Sequence, residues 1–150
     1  MVKGGIWVIY EVVDAIAARL AKNYDYDVHI NKLPQDFEEP CFFIKLISND
    51  ENQLVDNRYY RKNTFDIAFF HENNNVDLYK KTDELTDILE YVRTENGDLL
   101  RGINRKSEIA DGVLHFITSY DYTVVKPKET QPLMEELKIK GGINNGRKKS

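Results

Sequence analysis

The chain reads as an α+β fold, a mostly antiparallel five-stranded sheet with two helices packed on one face. Three observations predict it. Apolar residues recur at helical spacing in two separate stretches. The segments around them alternate, or run apolar, at strand length. The strands come in groups, in the order helix, three strands, helix, two strands, which disfavours a doubly wound sheet. With 150 residues, 41% of them hydrophobic, there is material for one core. Residues 1–126 are therefore expected to form one domain, with 127–150 as an extension.

The first helix is carried by Ile6, Ile9, Val13, Ile16 and Leu20, with Tyr10 and Ala17 alongside. Glu11, Asp14, Arg19 and Lys22 fall largely on the other face, and Asn23 is a natural stop. Lys3 and the apolar run after it imitate a signal peptide, but Glu11 and Asp14 interrupt the run. No stretch approaches the roughly 20 apolar residues that span a bilayer. Tyr24, Tyr26, Val28 and Ile30 alternate with polar residues and predict a strand over 24–30. A loop follows, set by Pro34 and Pro40. Cys41 to Ile47 is almost continuously apolar, as in a strand covered on both faces.

Ser48 to Asn57 is polar and turn-like, and Tyr59 to Phe70 returns as a long strand. The two strands predict a hairpin with Asp50 to Asp56 at its tip. Asn73, Asn74, Asn75 and Asp77 are N-cap candidates for a second helix. Its stripe is Leu78, Leu85, Ile88, Leu89 and Val92, running to about Arg93, with Asn96-Gly97 ending it. Leu99 to Arg105 and Gly112 to Val125 complete the sheet, joined through Lys106 to Asp111. Beyond Pro127 and Pro132, Leu133 to Ile139 has the pattern of a short amphipathic helix, and 141–150 is a polar, basic tail.

Chemistry is sparse. Cys41 opens an apolar strand, where an inert buried thiol is the default, and a single cysteine permits no internal disulfide. His29, His71 and His115 have no metal-ligand spacing. Asp66, Glu39 and Lys45 could be arranged as a magnesium nuclease site, but Asp66 reads first as a residue on a half-exposed sheet. Gly4-Gly5 lacks the lysine and the preceding strand of a phosphate loop. No cofactor or metal is assigned.

The most suggestive feature is the cluster Arg58-Tyr59-Tyr60-Arg61-Lys62, with Asp50, Glu51 and Asp56 just before it. Basic residues interleaved with aromatics bind single-stranded nucleic acid, and Arg and Tyr also anchor protein interfaces. The net charge of -4 favours protein contact over a merely solvated strand, and both over nucleic acid. An acidic tip on one copy meeting a basic strand on the next would make a head-to-tail, ring-forming contact.

Pro40-Cys41-Phe42-Phe43-Ile44-Lys45-Leu46, then Leu54, Arg58-Tyr59-Tyr60-Arg61 and Phe65-Asp66-Ile67-Ala68-Phe69-Phe70, together resemble the tail terminator (tail completion) proteins of tailed phages. The resemblance is nearest to the small type in contractile-tailed phages and defective prophages. It covers about residues 6 to 139, and the element order and size match as well. It implies a non-enzymatic ring, usually a hexamer, on the head-proximal end of the tail tube, made in the host cytoplasm and retained in the virion or phage-like particle. Its implied partners are other copies of itself, the tube protein, the sheath protein and the head–tail connector, with no membrane and no specific nucleic acid. On this reading the contact residues are Asp50, Glu51, Asp56, Arg58, Tyr59, Arg61 and Lys62, with Leu133, Met134 and Leu137 as a second surface.

Overall fold

The computed structural model describes residues 2–3, 8–72 and 76–127. Its elements are β1 (Val2–Lys3), α1 (Val8–Asn23), β2 (Asp27–Ile30), β3 (Cys41–Gln53), β4 (Arg58–Phe70), α2 (Leu78–Ile88), β5 (Tyr91–Arg93), β6 (Leu99–Ala110) and β7 (Val113–Val125). Gly4-Gly5, the cap candidates Asn73–Asn75, the short helix expected at Leu133–Ile139 and the tail 141–150 lie outside the described residues.

The α+β class and the two helices stand, but the sheet is larger and mixed. Six strands pair in the order β2-β3-β4-β7-β6-β5. β3 to β6 pair antiparallel along that path, whereas β2 lies parallel to β3, with Val28 opposite Phe42. The pairing of β6 with β7 ends at Gly102 opposite Tyr120, and β1 joins in parallel beyond it, at Thr123 and Val124.

The core follows the alternation of the long strands. Phe42 and Ile44 of β3, Phe65, Ile67 and Phe69 of β4, and Leu114, Phe116, Tyr120 and Tyr122 of β7 point to one face. There they join one buried cluster with Val12, Ile16 and Leu20 of α1 and Leu85 of α2. α1 ends where expected: the Asn23 side-chain amide donates to the Arg19 carbonyl, and the Tyr24 amide donates to Leu20. α2 is capped by Asp77, whose carboxylate accepts from the Tyr79 and Lys80 amides at 3.1 Å each.

Four boundaries differ from the sequence reading. α2 stops at Ile88, because Val92 is buried from a short strand, β5, rather than from a helix face. Asn96-Gly97 therefore closes the β5–β6 turn, where the Gly97 amide donates to the Thr94 carbonyl at 2.9 Å. β6 runs on to Ala110 and returns through Asp111-Gly112, both at positive φ (51° and 77°), the geometry of a two-residue hairpin turn. β3 runs on to Gln53 past a register shift between Leu46 and Ser48, so its polar half is ladder rather than loop. The hairpin tip shrinks to Leu54–Asn57.

Among the described residues, no helix is long and apolar enough to cross a membrane.

Candidate functional site

The outer half of the β3–β4 hairpin gathers the residues singled out in the sequence. Register places Asp50 opposite Lys62, Glu51 opposite Arg61, Asn52 opposite Tyr60 and Gln53 opposite Tyr59. Side chains alternate across the pleat, so Glu51, Tyr59 and Arg61 share the core-side face, while Asp50, Tyr60 and Lys62 share the other.

On the core-side face the charges meet within one chain. The Arg61 Nε donates to Glu51 Oε2 at 2.7 Å, and Lys126 Nζ reaches Glu51 Oε1 at 2.9 Å. The same ammonium sits 3.9 Å above the Tyr59 ring, a cation–π contact. Lys126 is held by its backbone too: its amide donates to the Asn57 carbonyl at 2.9 Å, and the Asn57 side-chain amide donates to its carbonyl at 2.7 Å. The end of β7 is thereby tied to the base of the hairpin tip. On the other face the Tyr60 hydroxyl donates to Asp121 of β7.

The electrostatics follow from these contacts. Hydrogen bonds from Arg61 and then Lys126 hold the Glu51 carboxyl below its usual range, and Glu51 in turn holds the Arg61 guanidinium up. The Asp121 carboxylate beside Tyr60 pushes that phenol up to about 12.

Two of the residues expected to bridge copies, Glu51 and Arg61, are thus engaged inside a single chain, with Tyr59 under Lys126. What the hairpin turns outward is Arg58, Asp50 and an apolar pair, Leu54 at 48% exposure and Val55 at 81%. The sequence did carry a signal for that pair, two adjacent aliphatics inside an otherwise polar tip. Lys126 and Asn57 were not legible as partners of the hairpin, because they meet only once β4 and β7 pair. Leu133, Met134 and Leu137 lie outside the described residues.

A depressed carboxylate stabilises the fold fully above its unfolded value, near 4.5, and the contribution disappears as pH falls through the lower folded value. Acidifying from pH 6 to below 4 is therefore expected to loosen the hairpin tip of the native chain. Each exposed pair contributes about 0.2–1 kcal/mol. Hydrogen exchange of the Asn49–Asn63 ladder would record the loosening. A Glu51→Gln chain is expected to start looser and to lack the acid-dependent change, and equal acid dependence in the two chains would refute the assignment.

The candidates for chemistry are placed elsewhere. Cys41 is fully buried, and burial pushes its thiol up, with the charges of Glu39 and Asp27 adding to the shift. His115 Nδ1 lies 3.0 Å from Asp66 on the sheet face away from the helices, and register puts Lys45 beside Asp66. His71 Nε2 is 2.9 Å from the Gly112 carbonyl. Among the described residues, no group of three or more His, Cys, Asp or Glu side chains converges as a metal site would require.

No curated protein matches the chain. The family model described as "Phage tail terminator protein" matches residues 11–132, a span that runs from the first turn of α1 past the end of β7 and includes the whole braced hairpin. By that match the chain belongs to the phage tail terminator protein family, a family of structural tail proteins.

Proposed function

We propose that this protein closes the head-proximal end of a phage tail tube as a ring of its own copies, ending tube polymerisation and presenting the surface that joins the head. The observation that carries the reading is the family match across both helices and strands β2 to β7. A ring of six, a sheath contact in a contractile tail, and assembly in the host cytoplasm before incorporation into the particle belong to the same proposal. The hairpin supplies a suitable contact element. Its tip exposes Leu54 and Val55 while Glu51, Arg61 and Lys126 hold its base rigid, and rigid apolar anchors lose little entropy on docking. Arg58, Asp50, Asp56 and Lys62 flank the tip as the polar rim, and residues 127–150 form an extension that docks separately through Leu133, Met134 and Leu137.

The test is tube assembly from purified tube protein with and without this chain. Short tubes bearing ring-shaped caps under negative stain are the expected result. Tubes that grow to unchanged lengths, with no protein at their ends, would sink the proposal.

A further inference from the structure

The turn between β5 and β6 places two mutually reactive groups side by side. Asn96 is followed by Gly97, and an asparagine side-chain amide is open to attack by the backbone nitrogen of the next residue. Both residues are exposed. Gly97 stands at φ 91°, with no heavy atom within 4 Å of where a Cβ would lie, so no side chain shields the nitrogen. Hydrogen bonds hold the turn in its resting shape. The Gly97 amide donates to the Thr94 carbonyl at 2.9 Å, and the Thr94 amide donates to the Asp98 carbonyl at 2.8 Å. The Asp98 amide donates to the Thr94 hydroxyl at 3.1 Å, and Arg93 Nη1 donates to the Gly97 carbonyl at 2.8 Å. The Gly97 bond engages the very nitrogen that attacks, so reaction waits on local opening of the turn.

We propose that Asn96 is a site of spontaneous deamidation and that the hydrogen bonds around Thr94 set its rate. In the opened turn the Gly97 nitrogen bonds to the Asn96 side-chain carbonyl carbon. The bond from that carbon to the amide nitrogen breaks, and ammonia leaves with the proton that Gly97 gives up. The five-membered imide so formed takes up one water. Opening at the side-chain carbonyl leaves aspartate, and opening at the backbone carbonyl leaves isoaspartate, with the chain continuing through the side chain. Nothing is oxidised or reduced, and water is the only co-reactant. The product alters a contact as well as a mass. Asn96 donates to Glu11 Oε1 of α1 at 3.3 Å, and it lines a cleft of about 420 Å³ with Glu11, Asp14, Glu95 and Arg93. A carboxylate at position 96 replaces that donor with an acceptor of like charge beside Glu11. The turn then loses its tie to α1, and the three-residue strand β5 loosens with it.

Peptide mapping of the full-length chain, held at mildly alkaline pH, tests the proposal. The second Asn-Gly pair, Asn145-Gly146, falls on a separate tryptic peptide and is scored separately. Aspartate and isoaspartate should accumulate at position 96, about tenfold more slowly than in the same chain unfolded in guanidinium. Thr94→Val removes the hydroxyl that accepts from Asp98, and should raise the native rate about threefold or more while leaving the unfolded rate unchanged. Asn96→Asp, standing for the product, should lower hydrogen-exchange protection of the Val92 and Leu100 amides. No conversion in the native chain over a time in which the unfolded chain converts fully would overturn the proposal. A product free of isoaspartate would overturn the imide route. Equal native rates with threonine or valine at position 94 would overturn the control by the turn, and unchanged protection in Asn96→Asp would overturn its consequence for β5.

Discussion

Replacing Phe69 with alanine is expected to destabilise the protein by about 3–5 kcal/mol, the range for truncating a buried aromatic. Phe69 is 1% exposed and sits where four elements meet. Its ring centroid lies 5.1 Å from Phe42 of β3 and 5.8 Å from Tyr26 just ahead of β2, and the Lys81 ammonium of α2 stands 5.2 Å from it. Lys81 also lies 4.4 Å from the Tyr24 ring, and the Tyr24 hydroxyl donates to Glu84 at 2.8 Å. That hydrogen bond holds the Glu84 carboxyl low, while burial and the same carboxylate push the Tyr24 phenol up. The edge strand β2 has only four residues and, among the described residues, pairs only with β3, so its stability rests on this aromatic cluster more than on its ladder. Against a typical total of about 5–15 kcal/mol, the loss is a large fraction of the whole. The urea midpoint of Phe69→Ala should fall accordingly at unchanged slope, and β2 amides should lose protection first. A shift under about 1 kcal/mol would show that the cluster does not hold the edge.

The elements written in apolar periodicity were legible, and those held by pairing alone were not. α1 and β4 show their faces directly, because Val13, Ile16 and Leu20, or Phe65, Ile67 and Phe69, recur at the period of the element that buries them. Ser48 to Gln53 has no apolar alternation and reads as a turn. Yet it is strand, because β4 supplies partners out to Tyr59 whatever the side chains are. Val92 fits both the helical stripe and β5, and only the C-cap at Leu89 decides between them. The alternation of β2 reports that the strand is half buried but says nothing of its direction, so its parallel pairing was out of reach. Asp111-Gly112 carried a signal that the reading of Lys106 to Asp111 as a connection passed over: an Asp-Gly pair between extended runs marks a two-residue hairpin, and it fixes the register of β6 on β7.

The same distinction governs the candidate site. The basic aromatic cluster was visible as composition, but its division into bracing and outward residues depends on the pleat. The odd-numbered Tyr59 and Arg61 turn toward Glu51 and Lys126, leaving Arg58 outward. β7 links the parts, pairing with β4 along one edge and with β6 and β1 along the other. Its last residues and Lys126 beyond them fix the hairpin.

Val55→Asp and Arg58→Glu should each weaken tube capping about tenfold or more while leaving the fold intact. Val55 is 81% exposed and Arg58 is exposed, so neither change removes core packing, and unfolding midpoints should stay within about 0.5 kcal/mol of the native chain. At an interface the same residues would be desolvated anchors, where truncations cost about 2 kcal/mol or more, and a tenfold loss corresponds to about 1.4 kcal/mol. Arg61→Glu is the poorer probe. It sets a second carboxylate against Glu51, which already accepts from Arg61 at 2.7 Å, so the hairpin loosens with or without a partner. The informative comparison is therefore between outward and inward changes. The outward pair should reduce capping with no change in hairpin exchange, and Arg61→Glu should change both together. If Val55→Asp and Arg58→Glu left tube lengths and end-caps as in the native protein, the hairpin tip would be excluded as the docking element.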